Sequence, residues 1–358
     1  MRFLFIVQGE GRGHMTQAIS MHDILVRNGH EVVEILIGKS HLRDIPQFFY
    51  DKIKTPVHTY ESPNFQISQN NKGIQVYKSI LSNLKHSKIY FQSIAFIKSR
   101  INELKPDAVV NFYEMLGGIT WLFHRPKVPY ICVGHQFLLL HPEFVFPKGH
   151  RVQIMMLNFL TRLTSAGAQK LLALSFVPMS DLPEKKIFVV PPLLRDEVLQ
   201  LSSGNDNYIL GYMLNAGYSE EIIRWHKTRP DIKAHFFWDK KDAPEDLEIE
   251  PNLYFHRIND IKFLAYMKDC DGYASTSGFE SICEAMYLRK PVLMVPTAGH
   301  IEQRCNSIDA VRAGAGIASE SFDIDKLIEF IPTYNKDDKQ FIQWVKKAEQ
   351  KFLELLTK

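Results

Sequence analysis

Cysteine is scarce in this chain: Cys132, Cys270, Cys283 and Cys305 are the only four in 358 residues, and no two have CxxC spacing. That scatter excludes a zinc knuckle and a disulfide framework, so all four are expected as reduced, packed thiols. Long apolar runs are missing as well. No stretch reaches the roughly 18 residues that a membrane-crossing helix needs. The short apolar run at 3–7 is too brief for the core of a signal peptide. A cytoplasmic protein is the expectation. The depletion of apolar residues that marks disorder is also absent, since hydrophobic residues make up 45% and charged residues 23%. A strong net charge is lacking too, at +3, and no nucleic-acid partner is expected.

That small total conceals an asymmetry. Residues 1–195 hold 23 lysines and arginines against 13 acids, whereas residues 196–358 hold 20 against 27. Either the first half meets something anionic or the surplus is drift of surface charge.

A chain of 358 residues exceeds the size at which one core keeps growing, so two domains are expected. Its first half alternates strand-like and helix-like segments: an apolar strand at 3–7, a glycine-rich turn, a helix over 15–28 stopped by Gly29, and a strand at 31–37. A long helical region over 73–104 follows, then strands at 108–111 and 130–133. This rhythm implies a mostly parallel sheet covered by helices on both faces. After Pro191-Pro192 the pattern breaks, then restarts with a strand at 208–213. The expected division is a first Rossmann-like domain over 1–193, a linker over 194–207, a second domain over 208–340 and a terminal amphipathic helix over 341–358 that can cross back. The fold class is therefore α/β, with two doubly wound domains facing a cleft.

Two groups of residues carry the chemistry. The first is Gly9-Glu10-Gly11-Arg12-Gly13-His14, set between a buried strand and a helix. Glycines permit a tight turn and close approach of a ligand, and the helix start offers free N–H groups to an anion. The spacing is not the GxGxxG of a dinucleotide fingerprint, and no acidic residue ends the second strand to hold a ribose. His14 at a helix start beside a cleft is either a general base near neutral pH or a helix cap.

The second group is Ser275-Thr276-Ser277-Gly278-Phe279-Glu280-Ser281-Ile282-Cys283-Glu284-Ala285, followed by Lys290-Pro291 through Pro296 and by His300-Ile301-Glu302-Gln303-Arg304-Cys305-Asn306. It reads as strand, small-residue turn, helix, strand, polar loop and helix. The turn presents amides and hydroxyls where a diphosphate would sit, and Glu284 falls one turn inside the helix, near the face of Glu280. The loop at 300–303 lies at the carboxyl end of the sheet, where open α/β domains bind ligands.

At these residues the sequence resembles the nucleotide-sugar glycosyltransferases of the GT-B fold, most of all the branch holding the UDP-glycosyltransferases and the N-acetylglucosaminyltransferase of peptidoglycan lipid synthesis. Gly278, Ser281, Glu284-Ala285, Lys290-Pro291, Pro296, Glu302-Gln303 and Asn306 match the family pattern in order and spacing. The close match spans 271–316, and the glycine-rich loop and two-domain plan extend it loosely over the rest. The resemblance implies that Thr276, Ser277, Gly278 and Ser281 contact the diphosphate, that Glu284 holds the ribose, and that Glu302 and Gln303 face the transferred sugar, with His300 of the same loop also on the donor side. It also implies that Gly11 and Gly13 shape the donor side of the first loop and that His14 serves as acceptor base. Asn215 and Gly217 stand at the second domain's first phosphate loop, and Arg257 with Ile258 where the base is held. The implied activity is metal-independent, inverting transfer of a hexose-type sugar from a nucleotide diphosphate donor, UDP in this branch, with no cofactor.

The sequence departs from the pattern in two places. Plant-type members carry histidine where Thr276 stands, so the phosphate contact here is either weaker or made by other groups. Several members pair the loop histidine with an aspartate after a later strand; here only Glu114 can supply that charge, or it is a solvated loop carboxylate. Asp323-Ile324-Asp325 has DxD form but precedes a helix, where Asp323 reads as an N-cap. A sugar-nucleotide epimerase and a non-catalytic sugar-nucleotide sensor are the alternative classes. Lastly, Lys72, Lys78, Lys85, Lys88, Lys98, Arg100 and Lys105 interleave with apolar residues against the single acid Glu103. That segment reads either as a surface for an anionic membrane, making the acceptor a membrane glycolipid, or as a helix with an apolar core side and a solvated basic side.

Overall fold

The computed structural model describes residues 1–41, 43–63, 87–213, 216–240, 242–336 and 339–358. Seven strands form the first sheet: β1 (Arg2–Gln8), β2 (Glu31–Lys39), β3 (Val57–Glu61), β4 (Ala108–Phe112), β5 (Tyr130–Gly134), β6 (Lys170–Leu174) and β7 (Ile187–Val190). They lie in the order β3-β2-β1-β4-β5-β6-β7, and every pairing is parallel. The central strands are mostly apolar because helices cover both faces, so β4 and β5 are buried at every position, the polar Asn111 included. The helices of this half are α1 (Arg12–Arg27), α2 (Gln47–Lys52), α3 (Ser87–Leu104), α4 (Met115–His124) and α5 (Arg151–Thr164). The helical region expected over 73–104 is represented by α3; its part at 73–86, with Lys78 and Lys85, lies outside the described residues, as does Lys72.

A short helix, α6 (Asp196–Gln200), follows in the connection to the second sheet. That sheet comprises β8 (Ile209–Met213), β9 (Ala234–Trp238), β10 (Asp246–Glu250), β11 (Leu253–Arg257), β12 (Gly272–Ser275), β13 (Val292–Met294) and β14 (Gly316–Ala318). Its order is β10-β11-β9-β8-β12-β13-β14, parallel except for the edge pair β10 and β11. The helices are α7 (Ser219–Thr228), α8 (Asp260–Asp269), α9 (Phe279–Tyr287), α10 (Ile301–Arg312) and α11 (Ile324–Phe330).

The sheet order locates the functional region. In the first sheet the chain winds outward from β1 to β3, then returns to place β4 on the other side of β1. In the second, β8 and β12 stand in the same relation. Ligands of doubly wound sheets bind in the crevice at such switch points, beyond the carboxyl ends of the strands. The loop after β1 and the turn after β12 are the two segments that the motifs occupy.

The terminal helix expected over 341–358 is instead two helices, α12 (Gln340–Val345) and α13 (Ala348–Thr357). They cross back onto the first sheet, as expected: Trp344 donates its indole N–H to the Ser175 carbonyl at 2.9 Å, and Phe352 and Leu356 are buried. All four cysteines are free and buried. Asp323 caps α11, accepting from the Lys326 N–H. Among the described residues, no helix is long and apolar enough to cross a membrane.

Candidate active site

The loop after β1 is held from below. Glu10 accepts the Ser40 N–H at 2.6 Å, and Gly9 donates its N–H to the Gly38 carbonyl at 2.7 Å. Gly9 packs so closely that an added Cβ would lie 2.8 Å from Ile37 Cγ2, which explains a glycine there. Gly11 is the N-cap of α1 and faces open space, while a Cβ added at Gly13 would lie 3.3 Å from Glu280 Cγ in α9. The first domain's loop thus rests against the second domain's helix.

His14, on the first turn of α1, is buried and stacked on Tyr113 with ring centroids 5.7 Å apart. Its Nδ1 lies 3.2 Å from Gln17 Oε1, and its Nε2 is 3.4 Å from Gln136 Nε2. The partners at both ends select one tautomer. Gln17 donates its amide to Glu280 Oε1 at 2.6 Å, so its oxygen faces His14 and takes the Nδ1 proton. Gln136 donates to Glu302 Oε1 at 2.9 Å, so its nitrogen faces Nε2, which must carry the lone pair. Burial lowers the imidazole pKa below its ordinary value, against the opposing field of Glu302 and the bond from Gln17. The ring is therefore neutral at pH 7, with a basic nitrogen at the domain interface.

The expected partnership of Glu114 with His14 is corrected here. Glu114 is the N-cap of α4: its side chain accepts from the Gly117 N–H at 3.0 Å and from the Ser62 hydroxyl. Only 1% of the residue is exposed, which also excludes a solvated loop carboxylate. The turn after β4 closes over Asn111, whose amide donates to the Glu114 carbonyl, and this points the carboxylate back toward β2 and β3. Gln17, one helical turn after His14, occupies the orienting position instead.

In the second domain, the turn after β12 contains Ser277 at φ 59°, a left-handed conformation that costs a non-glycine residue energy. Asn306 Nδ2 donates to the Ser277 carbonyl at 3.2 Å and braces the turn. Thr276 and Ser277 are both buried, and the Ser277 hydroxyl has no hydrogen-bond partner among the described residues. Gly278 is the N-cap of α9 without a side-chain cap, so the amides of the first turn remain available to an anion. Ser281 turns its hydroxyl to the Gly278 carbonyl at 3.3 Å.

Glu284, one turn further on, is 3% exposed and ion-paired. Arg195, at the start of the interdomain connection, directs Nε and Nη2 to Glu284 Oε1 at 2.8 and 2.6 Å. Oε2 takes part in neither contact. Glu280, on the same helix, has an unpartnered, buried Oε2; burial pushes its pKa up to about 8. His300 is the N-cap of α10, accepting the Gln303 N–H, and burial lowers its pKa. Gln303 accepts the Thr297 N–H at 2.8 Å, so this side chain shapes the loop before α10 while its amide nitrogen points elsewhere.

The structure thus gathers Gly13, His14, Glu302 and, through Gln17, helix α9 at one interface. Arg257 and Ile258 lie at and just beyond the end of β11, Arg257 exposed, and Gly217 sits in a 3-10 turn after β8. Asn215 lies outside the described residues. Sequence reasoning missed Gln17, Gln136 and Arg195. Gln17 had a signal, namely its i+3 spacing from His14 on one helix face. Gln136 and Arg195 had none, since each reaches its partner only through the docking of the two domains. Among the described residues, no three His, Cys, Asp or Glu side chains gather to hold a metal.

The family model for glycosyl transferase family 1 matches residues 1–333. An uncharacterized glycosyltransferase of Methanosarcina mazei is 23% identical, covering 99% of this chain and 95% of its own length. Among solved structures, the glycosyltransferase of kitacinnamycin superposes with a TM-score of 0.63 at 15% identity, covering 99% of this chain and 98% of its own. Phytolacca americana UGT2, solved with UDP-2fluoro-glucose and pterostilbene, gives 0.60 at 13% identity, with 99% and 93% covered. At such identities the structural likeness establishes the shared GT-B fold.

Proposed function

The chain belongs to glycosyl transferase family 1, and from that premise we propose that it transfers a hexose-type sugar from a UDP-type nucleotide donor to an acceptor hydroxyl, with inversion and with His14 as the base. The observation that carries the reading is the placement of His14 between the Gln17 oxygen and the Gln136 nitrogen, which selects one tautomer. Its Nδ1 proton is held by Gln17 and its Nε2 lone pair faces the interface where Gln136 and Glu302 meet. An acceptor hydroxyl would displace the long Gln136 contact and donate its proton to Nε2 as its oxygen attacks the anomeric carbon.

The bond from that carbon to the diphosphate breaks with its electron pair going to the leaving oxygen. In this reading the developing charge is met by the amides that open α9 and by the hydroxyls of Thr276, Ser277 and Ser281, so stabilisation comes from backbone dipoles rather than from a cation. Glu284, steadied by Arg195 through one oxygen, offers the other to a ribose hydroxyl. Glu302 and Gln303 border the sugar. The UDP assignment draws support from UGT2, whose structure holds a UDP sugar.

The test is a turnover assay with a panel of labelled nucleotide diphosphate sugars. Release of nucleotide diphosphate with incorporation of sugar into an acceptor supports the reading. Formation of an epimer, or tight binding without turnover, would replace it.

A further inference from the structure

Helix α5 turns its apolar side outward. Only Leu157, Thr161 and Thr164 are buried, whereas Val152, Met155 and Phe159 are 62%, 66% and 64% exposed. Neighbouring α4 leaves Leu122 and Phe123 exposed, and Phe123 lies against the exposed Phe91 of α3, ring centroids 6.3 Å apart. Helix α3 packs on α4, and α4 on α5. Single exposed apolar residues are ordinary, but exposed apolar residues on three adjacent helices mark a surface that is covered in use.

The chain that forms α4 and α5 is mostly basic. Over residues 115–180 the only acid is Glu143, against Arg125, Lys127, Lys148, Arg151, Arg162 and Lys170, and Glu320 of the second domain lies near His150 at the start of α5. A depression of about 760 Å³ opens at the start of α5, lined by Lys148, Arg151, Arg162, Phe146, Met155 and Asn158, among others. Among the described residues, none of these three cations has an ion-pair partner, and the buried Oδ1 of Asn158 has no hydrogen bond.

We propose that this face docks on a bilayer bearing anionic headgroups. Val152, Met155 and Phe159 enter the acyl boundary, and a lipid phosphate sits among Lys148, Arg151 and Arg162. An apolar crown ringed by cations is complementary to an interface that is anionic outside and hydrocarbon within. A protein partner of mixed charge would leave the cations unmatched, and a nucleic acid would set phosphates against Val152 and Met155. The assignment moves the membrane contact from the segment at 72–105 to α5. Helix α5 also contacts α10 of the second domain, whose first turn carries Glu302, so the docked face borders the cleft. One corollary, that the acceptor reaches the cleft from the membrane, rests on the transfer reading; the docking itself does not.

The experiment is sedimentation of the full chain with phosphatidylcholine vesicles carrying increasing phosphatidylglycerol. Docking predicts pelleting that grows with the anionic lipid and reverses with salt. The variant with Met155→Asp and Phe159→Asp stays in the supernatant, while Ile261→Asp, at a residue equally exposed on α8, pellets like the parent. Arg151→Gln with Arg162→Gln changes charge alone and should weaken partitioning by about tenfold or more at low salt; it decides the matter if the apolar variant fails to fold. Three results would overturn the proposal: no pelleting at low salt, equal binding to neutral vesicles, or a dimer in light scattering that Phe159→Asp dissociates. Loss of sugar transfer with docking intact would strike only the transfer reading.

Discussion

Gln17 joins the two domains to the candidate base, its amide nitrogen 2.6 Å from Glu280 Oε1 and its oxygen 3.2 Å from His14 Nδ1. An amide in this position orients the imidazole without adding charge, and it ties that orientation to closure of the interface. Removing the acceptor should allow the other tautomer, with its proton on the reacting nitrogen. Gln17→Leu is expected to lower kcat roughly 10- to 100-fold, part of what a positioned base contributes, while leaving the KM for donor nearly unchanged. Steady-state kinetics with saturating acceptor checks this; an unaltered kcat removes Gln17 from the mechanism.

Replacing the base itself should cost more. His14→Ala is expected to reduce kcat by about 10² to 10⁴ with donor affinity retained in calorimetry. Because burial holds the imidazole below its ordinary 6.5, the neutral, basic form persists into mildly acidic solution. The acidic limb of the kcat/KM profile should therefore have its midpoint below 6.5; a midpoint above that value would assign the limb to another group.

Glu284 carries two duties, toward Arg195 and toward the donor. Glu284→Gln keeps the shape and an acceptor oxygen but loses the charge. The expected loss of nucleotide affinity is about 1.5 to 3 kcal/mol, the range for hydrogen bonds to charged groups. Glu284→Ala leaves the buried Arg195 guanidinium with only its 3.9 Å contact to Asp260, which should destabilise the fold by about 3 kcal/mol, the low end for a broken buried pair. Calorimetry on the glutamine variant and denaturant titration of the alanine variant separate the two effects.

Ser277 pays in backbone strain for its place in the donor turn. With φ at 59° and an unpartnered hydroxyl, Ser277→Gly should stabilise the apo protein by about 1 kcal/mol. The same change should weaken binding of a nucleotide diphosphate. A variant that loses stability, or binds nucleotide as tightly as the parent, would contradict the assignment of this turn to the diphosphate.

Glu280 makes stability depend on pH. Its carboxyl is raised from an ordinary 4.5 to about 8 by burial, with Glu284 adding to the rise. The folded chain thus binds a proton that the unfolded chain has released throughout this window. Its contribution is fully present below about pH 4.5 and declines as pH rises to about 8. Glu280→Gln, uncharged at every pH, should flatten that slope. Melting temperatures of parent and variant from pH 5 to pH 9 provide the comparison, and parallel curves would refute it.

The periodicity of the chain by itself determined the class of fold. Apolar runs such as those of β1, β4 and β5 cannot alternate with helices in any way but a buried parallel sheet, because only that arrangement covers both faces. The second half's donor turn was legible for a similar reason: Gly278, Ser281 and Glu284 are local in sequence, and helix geometry fixes their mutual positions. Strands β6, β7 and β10 are missing from the expected elements although each carries a pattern: Leu171–Leu174 and Ile187–Val190 are apolar runs, and Leu247 and Ile249 alternate with acids along β10.

Only the tertiary structure decided what His14 and Glu284 are bound to. Glu114 looked like the charge beside His14 because it follows a first-domain strand, yet the turn at Asn111 aims it at Ser62 and Gly117. The partners that the fold supplies, Gln136, Glu280 and Arg195, lie 122 positions from His14, 263 from Gln17 and 89 from Glu284. Hydrogen bonds act over about 3 Å, so the Gln136–His14 contact exists only once the first sheet has folded, and the Gln17–Glu280 and Arg195–Glu284 contacts only once the two domains have docked. No local pattern encodes that event. The outward side of α5 belongs with them: Val152, Met155 and Phe159 have the spacing of a core-facing stripe, and only packing on the other side of the helix, through Leu157 and Thr161, shows that they face out.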